Sequence, residues 1–170
     1  MRTIRKITEE DAAAYRTIRL RALREHPESY GATLGSMESQ SIEDVAKRIR
    51  TKPAQGFCLF GAFVDEHLVG LAGFGRQSDN PKQRHRAGIF QMYVAPEYRG
   101  QKLGLQLLEA TLEHARQLEG LEEVTLAVTV GNEAARNLYL NAGFRLSHIE
   151  PRYLKIDGTY YDIEWMFQKL

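Results

Sequence analysis

The feature that most constrains the fold of this 170-residue chain is a strand-like apolar run that leads through a glycine- and cation-rich turn into a long helical pattern. The apolar run covers residues 87–94, the turn covers 99–104, and the helical pattern continues from 101 to about 119. Backbone N–H groups at a helix start lack intrahelical partners, and the helix dipole favours an anion there. We therefore expect a phosphorylated ligand at residues 99–105.

This turn does not match the two common nucleotide-binding loops. Lys102 is followed by Leu103, so the pattern G-x-x-x-x-G-K-[ST] is absent, and no G-x-G-x-x-G occurs either. A glycine-rich turn before a helix is also often no more than a turn. A nucleotide-binding protein therefore remains only a weak alternative.

The apolar periodicity predicts the element order β-α-α-β-β-β-α-β-α-β-β, which is a single α/β domain over residues 1–170 with a mixed sheet flanked by helices. Helices are expected from about 12 to 26, at 41–50, 101–119 and 132–141, and residues 26–40 are expected to be irregular. The break after the second helix falls at 52–56. Strands are expected at 3–7, 57–64, 68–76, 86–94, 124–130, 144–156 and 159–168. The near-continuous apolar run 124–130 predicts a strand buried on both faces, and Asp157-Gly158 predicts a hairpin turn.

Composition excludes several classes of function. The chain is 43% hydrophobic and 26% charged, which is globular rather than disordered composition, and its net charge of +1 gives no general attraction to nucleic acid. Its one cysteine cannot form an intramolecular disulfide, and its five histidines show no metal-ligand spacing. No apolar run approaches the roughly 20 residues of a membrane span, and no signal peptide is visible. We expect a cytoplasmic protein with no metal, membrane or nucleic-acid partner.

Two segments together resemble the GNAT N-acetyltransferase family. The turn Arg99-Gly100-Gln101-Lys102-Leu103-Gly104 resembles the family signature [QR]-x-x-G-x-[GA], often written R-G-x-G-x-G, and departs from it at Lys102, where glycine is usual. Residues 132–145, N-E-A-A-R-N-L-Y-L-N-A-G-F-R, are similar to the family's later N-x-x-A-x-x-L-Y-x-x-x-G-F element. The resemblance implies the α/β fold predicted above and an acyltransferase that uses acetyl-CoA.

The resemblance also implies a set of cofactor-binding residues. In the family, acetyl-CoA lies where two neighbouring strands splay apart, with its pantetheine on strand main chain and its pyrophosphate on the helix-start N–H groups. The residues that match these positions, together with two asparagines of the later element, are Met92, Tyr93, Val94, Arg99, Gly100, Gln101, Lys102, Leu103, Gly104, Leu105, Asn132 and Asn137. Asn132 fits a helix N-cap equally well.

Tyr139 is the candidate catalytic residue. A family tyrosine at this point protonates the coenzyme A thiolate when an amine has attacked the thioester, which is general acid catalysis. The alternative is a core residue, because Ala135, Leu138, Tyr139 and Ala142 have the spacing of a buried helix face.

No general base can be assigned from the sequence. The strand before the signature turn reads Ile89-Phe90-Gln91-Met92, without the glutamate that many family members place there. A water chain or a carboxylate elsewhere, Glu150, Asp162 or Glu164, stays open. We expect acetyl transfer to a primary amine of a small molecule or of a protein or peptide N-terminus. The alternative is an acyl-CoA-binding module or sensor without turnover. Family members are often homodimers, so the oligomeric state is also open.

Overall fold

The computed structural model describes residues 1–51, 56–76, 78 and 80–170. Seven strands form one sheet in the order β1-β2-β3-β4-β5-β7-β6. β4 and β5 are parallel, and the other neighbouring strands are antiparallel. The strands are β1 (Arg2–Lys6), β2 (Cys58–Val64), β3 (His67–Arg76), β4 (Arg86–Val94), β5 (Glu123–Thr129), β6 (Arg145–Ile156) and β7 (Thr159–Lys169).

Helices cover both faces of this sheet. They are α1 (Ala12–Glu25), α2 (Leu34–Glu38), α3 (Ile42–Thr51), α4 (Leu103–Arg116) and α5 (Glu133–Asn141). The apolar stripes of α1 and α3 bury against one face of β2 and β3, and α4 lies on the opposite face with α5 beside it. Helical spacing of buried residues such as Tyr15, Ile18 and Ala22 explains why α1 forms and which side it turns inward.

The predicted fold class and element order are confirmed, with one addition. The segment 26–40, expected to be irregular, contains the short helix α2, whose first turn is capped by Thr33 accepting the N–H of Ser36 at 3.2 Å. The predicted hairpin turn is present, with φ of 47° at Asp157 and 82° at Gly158, the positive values that a type I′ turn requires. The predicted helix break at 52–55 lies outside the described residues.

Two sequence predictions about individual elements need correction. β5 buries apolar side chains on one face and Thr125 and Thr129 on the other, as predicted, except that Ala127 between the two threonines is exposed. The helix predicted to begin at Gln101 begins at Leu103 and ends at Arg116. Its later start follows from the left-handed backbone of the preceding turn, as described below.

Candidate active site

A cleft opens where the two parallel strands of the sheet diverge. Over their described residues, β4 and β5 share three ladder pairs, the last of which joins Gly88 and Thr125. Beyond it, β4 continues to pair with β3 and β5 continues to pair with β7. The facing edges of residues 89–94 and 126–129 therefore lie apart. Strand edges that are not paired with each other offer main-chain donors and acceptors to an extended ligand.

A β-bulge interrupts β4 beside the cleft. The β3–β4 register passes from Leu71↔Tyr93 to Gly73↔Phe90, so β4 contains one extra residue there. Gln91 lies in this step with φ of 58°. A Cβ on Gly73 would lie 2.5 Å from the Phe90 ring, so a larger residue would force that ring to move. The bulge is thus built into the packing of the two strands.

Side chains from the helical layer hold the bulge in place. Tyr15 donates its hydroxyl proton to Gln91 Oε1 at 2.8 Å, and Arg48 Nη2 donates to the Tyr15 oxygen at 3.2 Å. Tyr30 donates to the Met92 carbonyl at 3.0 Å. Burial raises the pKa of Tyr30 to about 12, so this hydroxyl remains a donor at neutral pH. Sequence reasoning assigned no role to Tyr15 or Arg48.

The three strand residues predicted to bind pantetheine lie on the β4 side of the cleft. Tyr93 pairs with β3, is buried, and donates its hydroxyl to Glu25 at 2.7 Å. The Val94 carbonyl accepts from Arg99 Nε at 2.9 Å, and the Met92 carbonyl accepts from Tyr30. The Tyr93 side chain and the Met92 and Val94 carbonyls thus already bind protein groups.

The turn after β4 leads directly into α4. Gly100 has φ of 74° and Lys102 has φ of 63°, so both adopt the left-handed conformation, and helical geometry begins only at Leu103. The first i→i−4 bond joins the Gln106 N–H to the Lys102 carbonyl at 3.0 Å. N–H groups before that bond have no intrahelical partner by the geometry of any α-helix. These groups belong to Leu103, Gly104 and Leu105.

The polar side chains of this turn point to different partners. Arg99 approaches His26 Nε2 through Nη2 at 3.2 Å as well as the strand carbonyl. Gln101 accepts a hydrogen bond from Arg2 of β1, and Lys102 is exposed. The Lys102 conformation explains the glycine usual at this position, since left-handed backbone favours glycine.

Gly104 lies where α4 faces both α5 and β4. A Cβ there would meet Leu138 of α5 at 3.5 Å and Val94 of β4 at 3.8 Å, which are ordinary contacts. One methyl group would therefore fit, whereas a long side chain would have to enter the space between α4, α5 and β4.

The later motif forms α5, and its predicted residues occupy different environments. Asn132 is the N-cap and accepts the Ala135 N–H at 3.2 Å, while Asn137 is exposed on the helix surface. Tyr139 is buried, with its ring edge-on to Phe144 at 6.0 Å between centroids. Its hydroxyl has no hydrogen-bond partner among the described residues. Burial, and secondarily the nearby Tyr30, raises the pKa of Tyr139.

The three carboxylates considered as bases already accept hydrogen bonds. Glu150 accepts from the Trp165 indole at 2.9 Å, and Asp162 accepts from the Arg152 N–H at 2.8 Å. Glu164 is buried and accepts from an arginine of α5 at 2.8 Å. Gln91, a neutral amide, lies beside the cleft on the strand where many members of the family that the sequence resembles have a glutamate. None of these groups stands out as a base.

Two further findings concern the described ranges as a whole. Within residues 1–51, 56–76, 78 and 80–170, no three His, Cys, Asp or Glu side chains are grouped to hold a metal ion. In the same ranges, no helix combines the length and apolarity needed to cross a bilayer. What the cleft offers is main-chain groups, tyrosine hydroxyls and cationic side chains.

Solved structures with the same fold include acetyltransferases. The structure of yncA, a putative acetyltransferase from Salmonella typhimurium with its cofactor acetyl-CoA, superposes with a TM-score of 0.86 at 21% identity, covering 99% of this chain and 94% of that one. At this identity the likeness establishes the fold. A model of the acetyltransferase (GNAT) family matches residues 16–144, and the chain belongs to this family. The family and the enzyme class, acyltransferase, are those predicted from the sequence.

Named relatives act on different acceptors. The chain is 30% identical over 118 residues to an L-methionine sulfoximine/L-methionine sulfone acetyltransferase of Pseudomonas aeruginosa. The aligned residues make up 68% of this chain and 67% of that protein. It is 33% identical over 149 residues to a mycothiol acetyltransferase of Kocuria rhizophila, which is 84% of this chain and 45% of that protein. The chain thus spans about half the length of the mycothiol enzyme.

Proposed function

We propose that this chain, as one domain over residues 1–170, transfers the acetyl group of acetyl-CoA to a primary amine of a small molecule or of a protein or peptide N-terminus. The observation that carries the proposal is the divergence of β4 from β5 beside the start of α4, where first-turn N–H groups are free of intrahelical partners. Membership of the acetyltransferase family supports it.

The residues of the cleft fit coenzyme A chemically. An extended pantetheine amide chain matches strand main chain at Met92, Tyr93 and Val94. A pyrophosphate matches the N–H groups of residues 101–105 and the helix dipole, with Arg99 and Lys102 adding positive charge. Asn132 and Asn137 complete the proposed contacts from α5. When bound, this cosubstrate supplies an activated acetyl thioester.

Tyr139 is proposed as the general acid. As the amine nitrogen bonds to the acetyl carbon, the carbon–sulfur bond breaks, and the Tyr139 hydroxyl gives its proton to the departing sulfur. The raised pKa of Tyr139 supports this role, because the group stays protonated at neutral pH. So does its free hydroxyl, which has no hydrogen-bond acceptor among the described residues. The proton of the attacking ammonium leaves to water, since β4 has a glutamine at residue 91.

The class of acceptor is drawn from relatives that acetylate small molecules. One is named for L-methionine sulfoximine and L-methionine sulfone, and another for mycothiol. The segment after α1 borders the cleft through Tyr30, whose hydroxyl donates to the Met92 carbonyl, and this aromatic border suits a compact amine.

Calorimetry and a coenzyme A release assay test the proposal together. Acetyl-CoA should bind with a micromolar or tighter Kd, about −8 kcal/mol, and coenzyme A should be released with at least one member of a panel of amino acids, polyamines and short peptides. Absence of binding at high micromolar ligand would disprove the proposal. Binding without release by any amine would favour an acyl-CoA-binding module instead.

A further inference from the structure

Arg19 is a buried cation with no anionic partner among the described residues. It lies on α1 with only 4% of its surface exposed, and its Nη1 has no hydrogen-bond partner within the described part of the chain. The charged or polar groups that act on its pKa are Tyr15, Tyr30 and Arg48, with no carboxylate among them. Burial lowers the pKa of Arg19, and the neighbouring Arg48 cation lowers it further.

The other arginines of α1 are paired. Arg21 donates to Glu25 and Glu97, and Arg24 donates to Glu38. Arg16 donates to two main-chain carbonyls at 2.7 and 2.9 Å. The helix therefore satisfies its exposed cations and leaves its most buried one unsatisfied. An unpaired buried charge is destabilising, so a chain that keeps one there has a use for it.

A second free donor lies close to the first. Arg48 of α3 donates Nη2 to Tyr15 and Nη1 to Gln40, but its Nε is buried and lacks a partner among the described residues. Arg19 follows Tyr15 by one helical turn on the buried face of α1. Arg48 contacts the same Tyr15 through this hydrogen bond and with its Cζ 5.7 Å from the ring centroid, so both guanidinium groups border one side chain. Together they present two unused N–H donors, a number that matches the two oxygens of a carboxylate.

The cation pair is connected to the β4 bulge on the side away from α4. Arg19 Cζ lies 4.4 Å from the centroid of the Tyr30 ring, and the hydroxyl of that ring contacts the Met92 carbonyl. Arg48 reaches Gln91 through Tyr15. A group bound between the arginines would thus be one aromatic ring away from the main chain that borders the cleft. It would approach from the α1–α3 layer, whereas α4 covers the other face of the sheet.

We infer that Arg19 and Arg48 form an anion subsite for the carboxylate of the acceptor, so that the preferred acceptor is a small amine that also carries a carboxylate, such as an amino acid. The inference rests on the proposed function and narrows it. A guanidinium binds a carboxylate through charge-assisted hydrogen bonds, which strengthen where water is excluded. Tyr30 would hold the Arg19 plane in place by stacking.

Acetylation of a matched panel tests this subsite. The panel contains the L-amino acids and L-methionine sulfone, each beside its carboxamide and its decarboxylated amine, with spermidine and a short peptide added. For the best amino acid, kcat/KM should exceed that of its carboxamide about 100-fold, mainly through KM. Arg19→Met should reduce this preference to about fivefold or less, because kcat/KM should fall far more for the amino acid than for its carboxamide.

Three measurements separate this role from a structural one. Arg24→Met makes the same change at an exposed position of the same helix and should keep the full preference. Arg19→Lys retains the positive charge and should keep part of the preference for the carboxylate-bearing acceptor. The melting temperature of Arg19→Met should not fall, because the variant removes an unpaired buried charge.

The outcomes distinguish the subsite from the proposed function. Preference for carboxamides, decarboxylated amines, spermidine or the peptide would overturn the subsite while leaving acetyl transfer standing. Survival of the carboxylate preference in Arg19→Met would also overturn it. If acetyl-CoA binds and no amine releases coenzyme A, the proposed function fails, and the subsite fails with it.

Discussion

At the cleft, the two sides of the sheet are built from different parts of the chain. The side formed by the end of β4 and the start of α4 lies in one continuous stretch, residues 92–105, and offers mainly main-chain groups. The side formed by α1, α3 and the bulge gathers Tyr15, Arg19, Tyr30, Arg48 and Gln91, which are up to 76 residues apart. The first side suits the part of a cosubstrate that every family member shares. The second can change residue by residue, and this is where acceptor selectivity would be expected to lie.

The largest expected effect comes from placing a negative charge on the main-chain side. Gly104→Glu should weaken acetyl-CoA binding by more than about 100-fold, because it sets a carboxylate among first-turn N–H groups that favour an anion. It also adds a long side chain beside Leu138 of α5 and Val94 of β4, which a Cβ at this position already contacts. Isothermal titration calorimetry measures the loss.

Two matched variants separate charge from bulk in that experiment. Gly104→Ala adds the Cβ that the structure accommodates at 3.5 Å from Leu138, and it should bind almost normally. Gly104→Gln has the size of the glutamate without its charge and should fall between the other two. Normal binding by a folded Gly104→Glu would mean that this helix start does not hold the phosphates, and that the comparison between the two sides is wrong.

The same contrast explains what could be predicted from the sequence. The turn motif lies in one segment, so its residues identified the turn, the strand before it and the presence of a helix after it. The bulge and its network could not be read in this way, since Gln91 meets Tyr15 only when the sheet and the helical layer assemble. One signal was present in α1, where Arg19 shares the helical spacing of the apolar face. An arginine at a core position is unusual enough to indicate a site.

Local conformation was the other limit of sequence reasoning. The periodicity of residues 101–119 favoured a helix from its first residue, whereas the positive φ at Gly100 and Lys102 delays the helix to Leu103. A single lysine gives no sign that its backbone will be left-handed. Likewise, the near-continuous apolar run marked β5 as a strand, but the exposure of Ala127 depends on which elements pack over the assembled sheet.

A smaller but still large effect is expected from Tyr139→Phe, which lies where the two sides meet. If the hydroxyl protonates sulfur, the single-turnover rate should fall about 100-fold. Acetyl-CoA affinity and melting temperature should hardly change, because the hydroxyl has no partner among the described residues whose loss would cost stability.

Burial keeps the pKa of Tyr139 above its ordinary value of 10.0. The proton is therefore retained as pH rises, and wild-type rates should show no loss of general acid up to about pH 9. Full single-turnover activity in the variant would end the assignment.

The smallest effect is expected at Lys102, and it sharpens the claim that the α4 side works through main chain. Lys102→Gly removes both a charge and a left-handed side chain, whereas Lys102→Ala removes the charge and keeps the strained Cβ. If the lysine contributes only an exposed charge, both variants should change acetyl-CoA affinity by less than about 1 kcal/mol, and by the same amount.

Stability should separate the two variants, because glycine relieves the left-handed strain. The free energy of unfolding of Lys102→Gly should exceed that of Lys102→Ala by about 1 kcal/mol. Denaturant unfolding and calorimetry on the same samples measure both quantities. An affinity loss of several kcal/mol in both variants would show that the ammonium itself binds phosphate. The α4 side would then depend on a side chain, as the α1–α3 side does.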